Sequence, residues 1–119
     1  MPKEPMSPIT THVLDLSSGK PASGISVTLE IREAKQGWTL LGTGTTDADG
    51  RVKNLLPGNI RLLPGTYRIY FQVSRYFRAQ KIESFFPEAS IVFTVQDPAQ
   101  HYHVPLLLSP HGYTTYRGS

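Results

Sequence analysis

The sequence predicts an all-β fold, a two-sheet β-sandwich of about eight strands with one short α-helix, and three observations carry that prediction. Ten Gly and ten Pro among 119 residues, with six Tyr and five Phe, describe short strands and frequent turns and leave little room for a helical bundle. Apolar and polar residues alternate over residues 25–32 and again over 66–73, the period of a strand with one buried face. Turn chemistry recurs at a spacing of roughly ten residues, which suits two packed layers of antiparallel strands. The length bounds a single domain that removes about two-thirds of the unfolded chain's surface from water. Residues 8–119 are expected to form it, with residues 1–7 as a disordered tail.

The first strand runs over residues 9–16 and closes on Ser17-Ser18-Gly19-Lys20-Pro21. The second, residues 25–32, places Ile25, Val27, Leu29 and Ile31 on its buried side. A third covers residues 38–46. Asp47-Ala48-Asp49-Gly50 then turns the chain, the Asp side chains capping the bend and Gly accepting positive φ, and Arg51 emerges just beyond. Past Leu63-Pro64-Gly65 comes the alternating strand at 66–73, and residues 74–84 are the one stretch where a short helix fits. Strands follow at 89–95, at 101–108 beyond the Asp97-Pro98 turn, and at 113–117.

Composition excludes several classes of function. The absence of Cys removes disulfides, thiolate catalysis and cysteine metal cages. A net charge of +3 is spread along the chain without a basic tract, so no nucleic-acid partner is expected. The first residues hold no apolar run of signal-peptide or membrane-span length, which predicts a soluble intracellular protein with no membrane partner. There is no Gly-x-Ser-x-Gly elbow, phosphate-binding glycine loop or paired-carboxylate pattern.

Four histidines remain as candidates for chemistry. Strand periodicity puts His101 and His103 on one face, opposite Tyr102, Val104, Leu106 and Leu108. A same-face pair can ligate a metal, but zinc sites take three or four protein ligands and no local motif supplies the rest, so no metal is expected. His101 and His111 read as solvent-facing or hydrogen-bonding residues. His12 shares its face with Leu14 and Leu16 and reads either as a structural or as a catalytic imidazole; Arg51 reads either as a surface charge or as a substrate clamp. The last residues keep two aromatics, Tyr113 and Tyr116, which predicts a docked end in place of a frayed one.

Four segments stand in order across residues 8–119: Thr11-His12-Val13-Leu14-Asp15, Asp49-Gly50-Arg51, the run from His101-Tyr102-His103 through Ser109-Pro110, and Tyr116-Arg117-Gly118-Ser119. Together they resemble the transthyretin-like family, and within it the 5-hydroxyisourate hydrolases. The resemblance implies a transthyretin-like sandwich with its helix near residues 75–82. It also implies subunits paired edge to edge through the sixth and eighth strands, and two such dimers packed into a homotetramer. His12, Arg51, His103 and the Tyr116–Ser119 segment would then gather at the dimer–dimer interface around a small purine-derived substrate. The implied activity is hydrolysis of 5-hydroxyisourate to 2-oxo-4-hydroxy-4-carboxy-5-ureidoimidazoline, with no cofactor.

In that reading His12 and His103 orient and deprotonate the attacking water, and Ser119 joins the same hydrogen-bond network. Arg51 binds substrate oxygens and stabilises charge on the carbonyl, His12 also contacts the substrate, and Tyr116 closes over it. Arg117 is expected to hold the terminal segment by pairing with a carboxylate, and His101 to stand behind the others. The rival within the family is a thyroid-hormone carrier. Transthyretin has Lys at the position of His12, Glu at that of Arg51, and Thr at those of His103 and Tyr116, so the resemblance favours the hydrolases.

Overall fold

The strand from Ile9 to Asp15 (β1) alternates as expected: Ile9, Thr11, Val13 and Asp15 are buried in the sandwich, while His12 and Leu14 turn to the other side. The computed structural model describes residues 7–34 and 37–119 and contains nine strands and one helix among them. Two strands of two residues each, β2 (Lys20–Pro21) and β5 (Arg51–Val52), lie along one edge of β1. The others are β3 (Ser26–Glu33), β4 (Gly37–Thr45), β6 (Gly65–Gln72), β7 (Glu88–Val95), β8 (Tyr102–Ser109) and β9 (Gly112–Thr115). The helix, α1, spans Val73–Arg78.

One sheet has the order β2-β1-β8-β9 with β5 beside β1, and the other the order β4-β3-β6-β7. All pairings are antiparallel except that of β1 with β8, which brings the start of the chain alongside its late strand. The inner faces meet in a core that includes Val27, Leu29, Tyr67, Ile69, Phe71, Leu106 and Leu108, all at most 1 % exposed. Removing such side chains from water supplies most of the drive to close the sandwich, about 1.5–3 kcal/mol for each large one. β7 and β9 end their sheets, and among the described residues their outer edges have no strand partner. The sequence reading has strands at both places, residues 89–95 and 113–117, and none for the short β2 and β5.

The helix is displaced from its expected position at residues 75–82. It follows β6 directly, with the Val73 and Ser74 amides donating to the Pro87 carbonyl, and it buries Val73 and Phe77 one turn apart. It closes early because Lys81 adopts φ 61°, and the amides of Lys81 and Ile82 donate back to the Arg78 and Phe77 carbonyls. That left-handed closure stops a helix as a Gly would. The last strand is shorter than expected as well, ending at Thr115. Of the expected tail, residues 1–6 lie outside the described residues, and Ser7 is buried with its hydroxyl accepting from the Leu56 amide at 3.1 Å.

A buried carboxylate ties α1 to β1. Asp15 is 1 % exposed and accepts from the Ser17 amide at 2.9 Å, the Ser17 hydroxyl at 2.5 Å and the Tyr76 hydroxyl at 2.7 Å. Burial by itself raises its pKa, but the hydrogen bonds from Ser17, Tyr76 and Ser18 outweigh burial and hold the carboxyl below its ordinary value. Its contribution to stability is therefore complete above the unfolded value of about 3.8 and is lost as pH falls through the lower native value. Tyr76→Phe is expected to reduce unfolding free energy by about 1–3 kcal/mol at neutral pH. The loss should shrink on acidification, and denaturant melts at neutral pH and near pH ~2 check both.

Candidate active site

Arg51 is delivered by its turn. The Asp47 side chain accepts from the amides of Asp49 at 2.9 Å and Arg51 at 3.0 Å, and Gly50 adopts φ 75°. A Cβ on Gly50 would sit 2.3 Å from the Val13 carbonyl oxygen, so only Gly lets this turn press against β1. The Val13 amide donates to the Gly50 carbonyl at 2.7 Å, and the register that follows sets Arg51 directly opposite His12.

On the other side of β1 the parallel ladder sets Thr10 opposite His103 and His12 opposite Pro105. Thr10, His12, Arg51 and His103 therefore share the outer face of this sheet, away from the core. The Thr10 hydroxyl, 4 % exposed as a residue, lies 2.8 Å from His103 Nδ1 and 3.0 Å from His101 Nε2.

The closing segment folds back onto the same place. Thr115 donates its hydroxyl to the Pro105 carbonyl, and the Gly118 amide donates to the His103 carbonyl, each at 2.8 Å. Gly118 packs so closely that a Cβ there would stand 2.5 Å from His103 Cδ2, so this position has no room for a side chain beside the imidazole. Arg117 does hold the segment, but not through the expected carboxylate: it donates to Gln100 Oε1 at 2.9 Å and lies 4.7 Å over the Tyr102 ring. A planar guanidinium stacks on an aromatic face and bonds a neutral amide equally well.

Thr10, Arg51, Lys53, His101, His103 and Ser119 line a shallow cavity of about 140 Å³. Of the expected site residues, the fold brings Arg51, His103 and Ser119 together here. His12 lies on the same face beside Arg51 but does not line this cavity. Tyr116 is 56 % exposed and lines a different, apolar cleft of about 240 Å³ with Ile91, Phe93 and Val104, which His103 also borders. His111 is exposed in the turn between β8 and β9, away from these groups.

Burial depresses the His103 pKa most, and the positive charge of Arg51 and the neighbouring His101 and His12 depress it further, while hydrogen bonding at Thr10 works the other way. His103 is consequently a neutral imidazole at physiological pH, able to accept a proton beside a fixed guanidinium that favours negative charge. Among the described residues no three His, Asp or Glu side chains converge as a metal-binding group. Thr10 and Lys53 were missed in the sequence. The signal was present, since each stands two residues from a candidate, His12 and Arg51, and strand alternation puts Thr10 on the face of His12.

Residues 9–118 match the family described as HIUase/Transthyretin. The chain is 50 % identical to mouse 5-hydroxyisourate hydrolase over 115 residues, covering 95 % of this chain and 96 % of the mouse protein. Among solved structures, sea bream transthyretin in complex with thyroxine superposes with a TM-score of 0.87 at 34 % identity, covering 93 % of this chain and 94 % of that one. Klebsiella pneumoniae 5-hydroxyisourate hydrolase superposes with a TM-score of 0.79 at 33 % identity, covering 93 % and 97 %.

The electrostatics carry their own test. His103 is expected to titrate below the ordinary imidazole value of about 6.5 in NMR spectra. Arg51→Gln removes the second largest depressing cause but not burial, so it should move the His103 titration upward while leaving it below that value.

Proposed function

The chain belongs to the HIUase/transthyretin family, and from that premise we propose that it hydrolyses 5-hydroxyisourate to 2-oxo-4-hydroxy-4-carboxy-5-ureidoimidazoline in urate degradation, a cyclic-amide hydrolysis without a metal. The observation that carries the reading is a neutral, half-buried His103 sharing one sheet face with His12, Arg51 and the returning Ser119. Fold similarity does not separate the hydrolases from the hormone carriers, since proteins of both names superpose well. The functional side chains separate them, and the mouse protein that matches at 50 % identity over nearly its whole length carries the hydrolase name.

Ring opening requires water to add to a ring carbonyl and the C–N bond to break. His103 and His12 orient the water, and an imidazole takes its proton as oxygen attacks; which of the two acts as base is left to the pH profile. Ser119 hydrogen-bonds to the same water. Negative charge growing on the carbonyl oxygen is met by Arg51, whose planar fork also fixes the substrate oxygens and whose charge needs no reorganisation during the step. The leaving nitrogen is then protonated from the imidazole system. Tyr116 closes over the planar ring.

The outer face of the sheet is open in one protomer, so the site is completed by assembly. Pairing of the β7 and β9 edges with a second copy, and packing of two such dimers over the His12 and His103 faces, gives a homotetramer with sites at the dimer–dimer interface. Cytoplasm or peroxisome is the compartment proposed.

The test follows the ultraviolet absorbance of 5-hydroxyisourate, generated from urate by urate oxidase, with EDTA present throughout. Protein-dependent decay is expected, and His12→Ala or His103→Ala should lower turnover at least ~10-fold with the assembly intact, a modest share of what acid–base catalysis supplies. With His103 as the base, working in its neutral form with a depressed pKa, activity should persist below pH ~6.5 and fall only as pH drops through the lower native value. Decay no faster than the spontaneous rate excludes the hydrolase and makes thyroid-hormone binding the next measurement.

A further inference from the structure

Thr10 presents one hydroxyl to two imidazoles, His103 Nδ1 at 2.8 Å and His101 Nε2 at 3.0 Å. A hydroxyl has a single proton to donate. The oxygen could accept an N–H from each ring, but among the described residues these two nitrogens are its hydrogen-bond partners, so its own covered proton is used only when it donates to one nitrogen and accepts from the other, and the two histidines then take complementary tautomers. When His103 carries its proton on Nδ1, its Nε2 is free to accept one, and Thr10 donates to His101 Nε2. When His103 carries its proton on Nε2, Thr10 donates to His103 Nδ1 and His101 presents Nε2–H. Thr10 is covered, whereas His101 is exposed in the protomer, so the chain leads from a half-buried imidazole to solvent.

Resting on the hydrolase reading above, we infer that Thr10 and His101 are positioning residues that set the reactive tautomer of His103 and relay its proton to solvent. As water attacks, its O–H bond breaks and a proton joins His103 Nε2. The Nδ1–H bond breaks toward Thr10 Oγ1, and the O–H bond of Thr10 breaks toward His101 Nε2. His103 gains one proton and loses one, Thr10 does the same, and the positive charge arrives on His101, which loses a proton from Nδ1 to water. Departure of the ring nitrogen runs the same chain inward: His103 gives up its Nε2 proton, and Thr10 and then His101 replace it, with a proton from water entering at His101. The starting tautomers are restored.

The surroundings of His103 favour this shift. Arg51 and Lys53 line the cavity, His12 stands on the same face, and among the described residues no side-chain carboxylate lines the cavity to hold an imidazolium there. Moving charge from His103 to the exposed His101 takes it away from Arg51. In the protomer His101 is the more exposed of the two facing rings.

Thr10→Val keeps shape and removes the hydroxyl, Thr10→Ser keeps the hydroxyl, and His101→Ala removes the exit at an exposed position. At low buffer concentration, Thr10→Val and His101→Ala are each expected to lower kcat about 10-fold with KM little changed, and Thr10→Ser to stay near wild type. Added imidazole should restore His101→Ala, because a small diffusible base replaces the missing ring; a merely structural loss would not respond. Wild-type kcat in either variant at low buffer, or a loss in His101→Ala that imidazole does not relieve, overturns the relay. Imidazole ¹⁵N spectra give a reading that needs no substrate. His103 shifts that move in Thr10→Val and stay in Thr10→Ser support the tautomer lock, and shifts unmoved in Thr10→Val overturn it. A wild-type chain that does not open 5-hydroxyisourate overturns the hydrolase reading instead, and the lock then stands or falls by the spectra.

Discussion

The parallel pairing of β1 with β8 is the constraint from which the site follows. It joins the first and penultimate long strands of the chain, and its register puts Thr10 across from His103 and Val13 across from Leu106. Val13 and Leu106 are fully buried, so the core dictates that register. A slip of β1 by one residue would bring its apolar side chains out and send Thr10 and His12 into the sandwich, at the cost of burying an imidazole. The same hydrophobic burial that closes the sandwich thus determines which polar groups meet on its outside.

Two glycines turn that frame into a site. Gly50 lets the turn after β4 approach the Val13 carbonyl and sets Arg51 opposite His12, while Gly118 lets the closing segment lie against the His103 ring. In both places a methyl group would occupy space that backbone or imidazole already fills. Cations and imidazoles then crowd one face: Arg51, Lys53, His12, His101 and His103. The crowding disfavours protonation of His103, which is the state a base needs, and favours negative charge on anything bound between them.

Much of the fold was legible because its signals are local. Alternation over residues 25–32 and 66–73 marks β3 and β6, and Asp47-Ala48-Asp49-Gly50 announces a turn whose hydrogen bonds form among its own four residues and Arg51. The helix was harder to place. Its limits depend on Pro87, which binds its first amides from the far side of a loop, and on Lys81 adopting a left-handed conformation that composition favours for Gly. The partner of Arg117 was misjudged for a related reason: a guanidinium's choice between a carboxylate, an amide and an aromatic face depends on which of them the fold brings near.

By itself the sequence determined which residues point together along each strand: His101 with His103, His12 with Leu14, and the buried sets opposite them, because side-chain alternation is a property of an extended backbone. It also held the ordered motifs that mark the family. The tertiary structure alone decided that Thr10 sits between two imidazoles, that Arg51 faces His12, and that Gly118 closes on His103. Those contacts join positions up to 93 residues apart. They depend on strand register and close packing between distant segments, which no local pattern encodes.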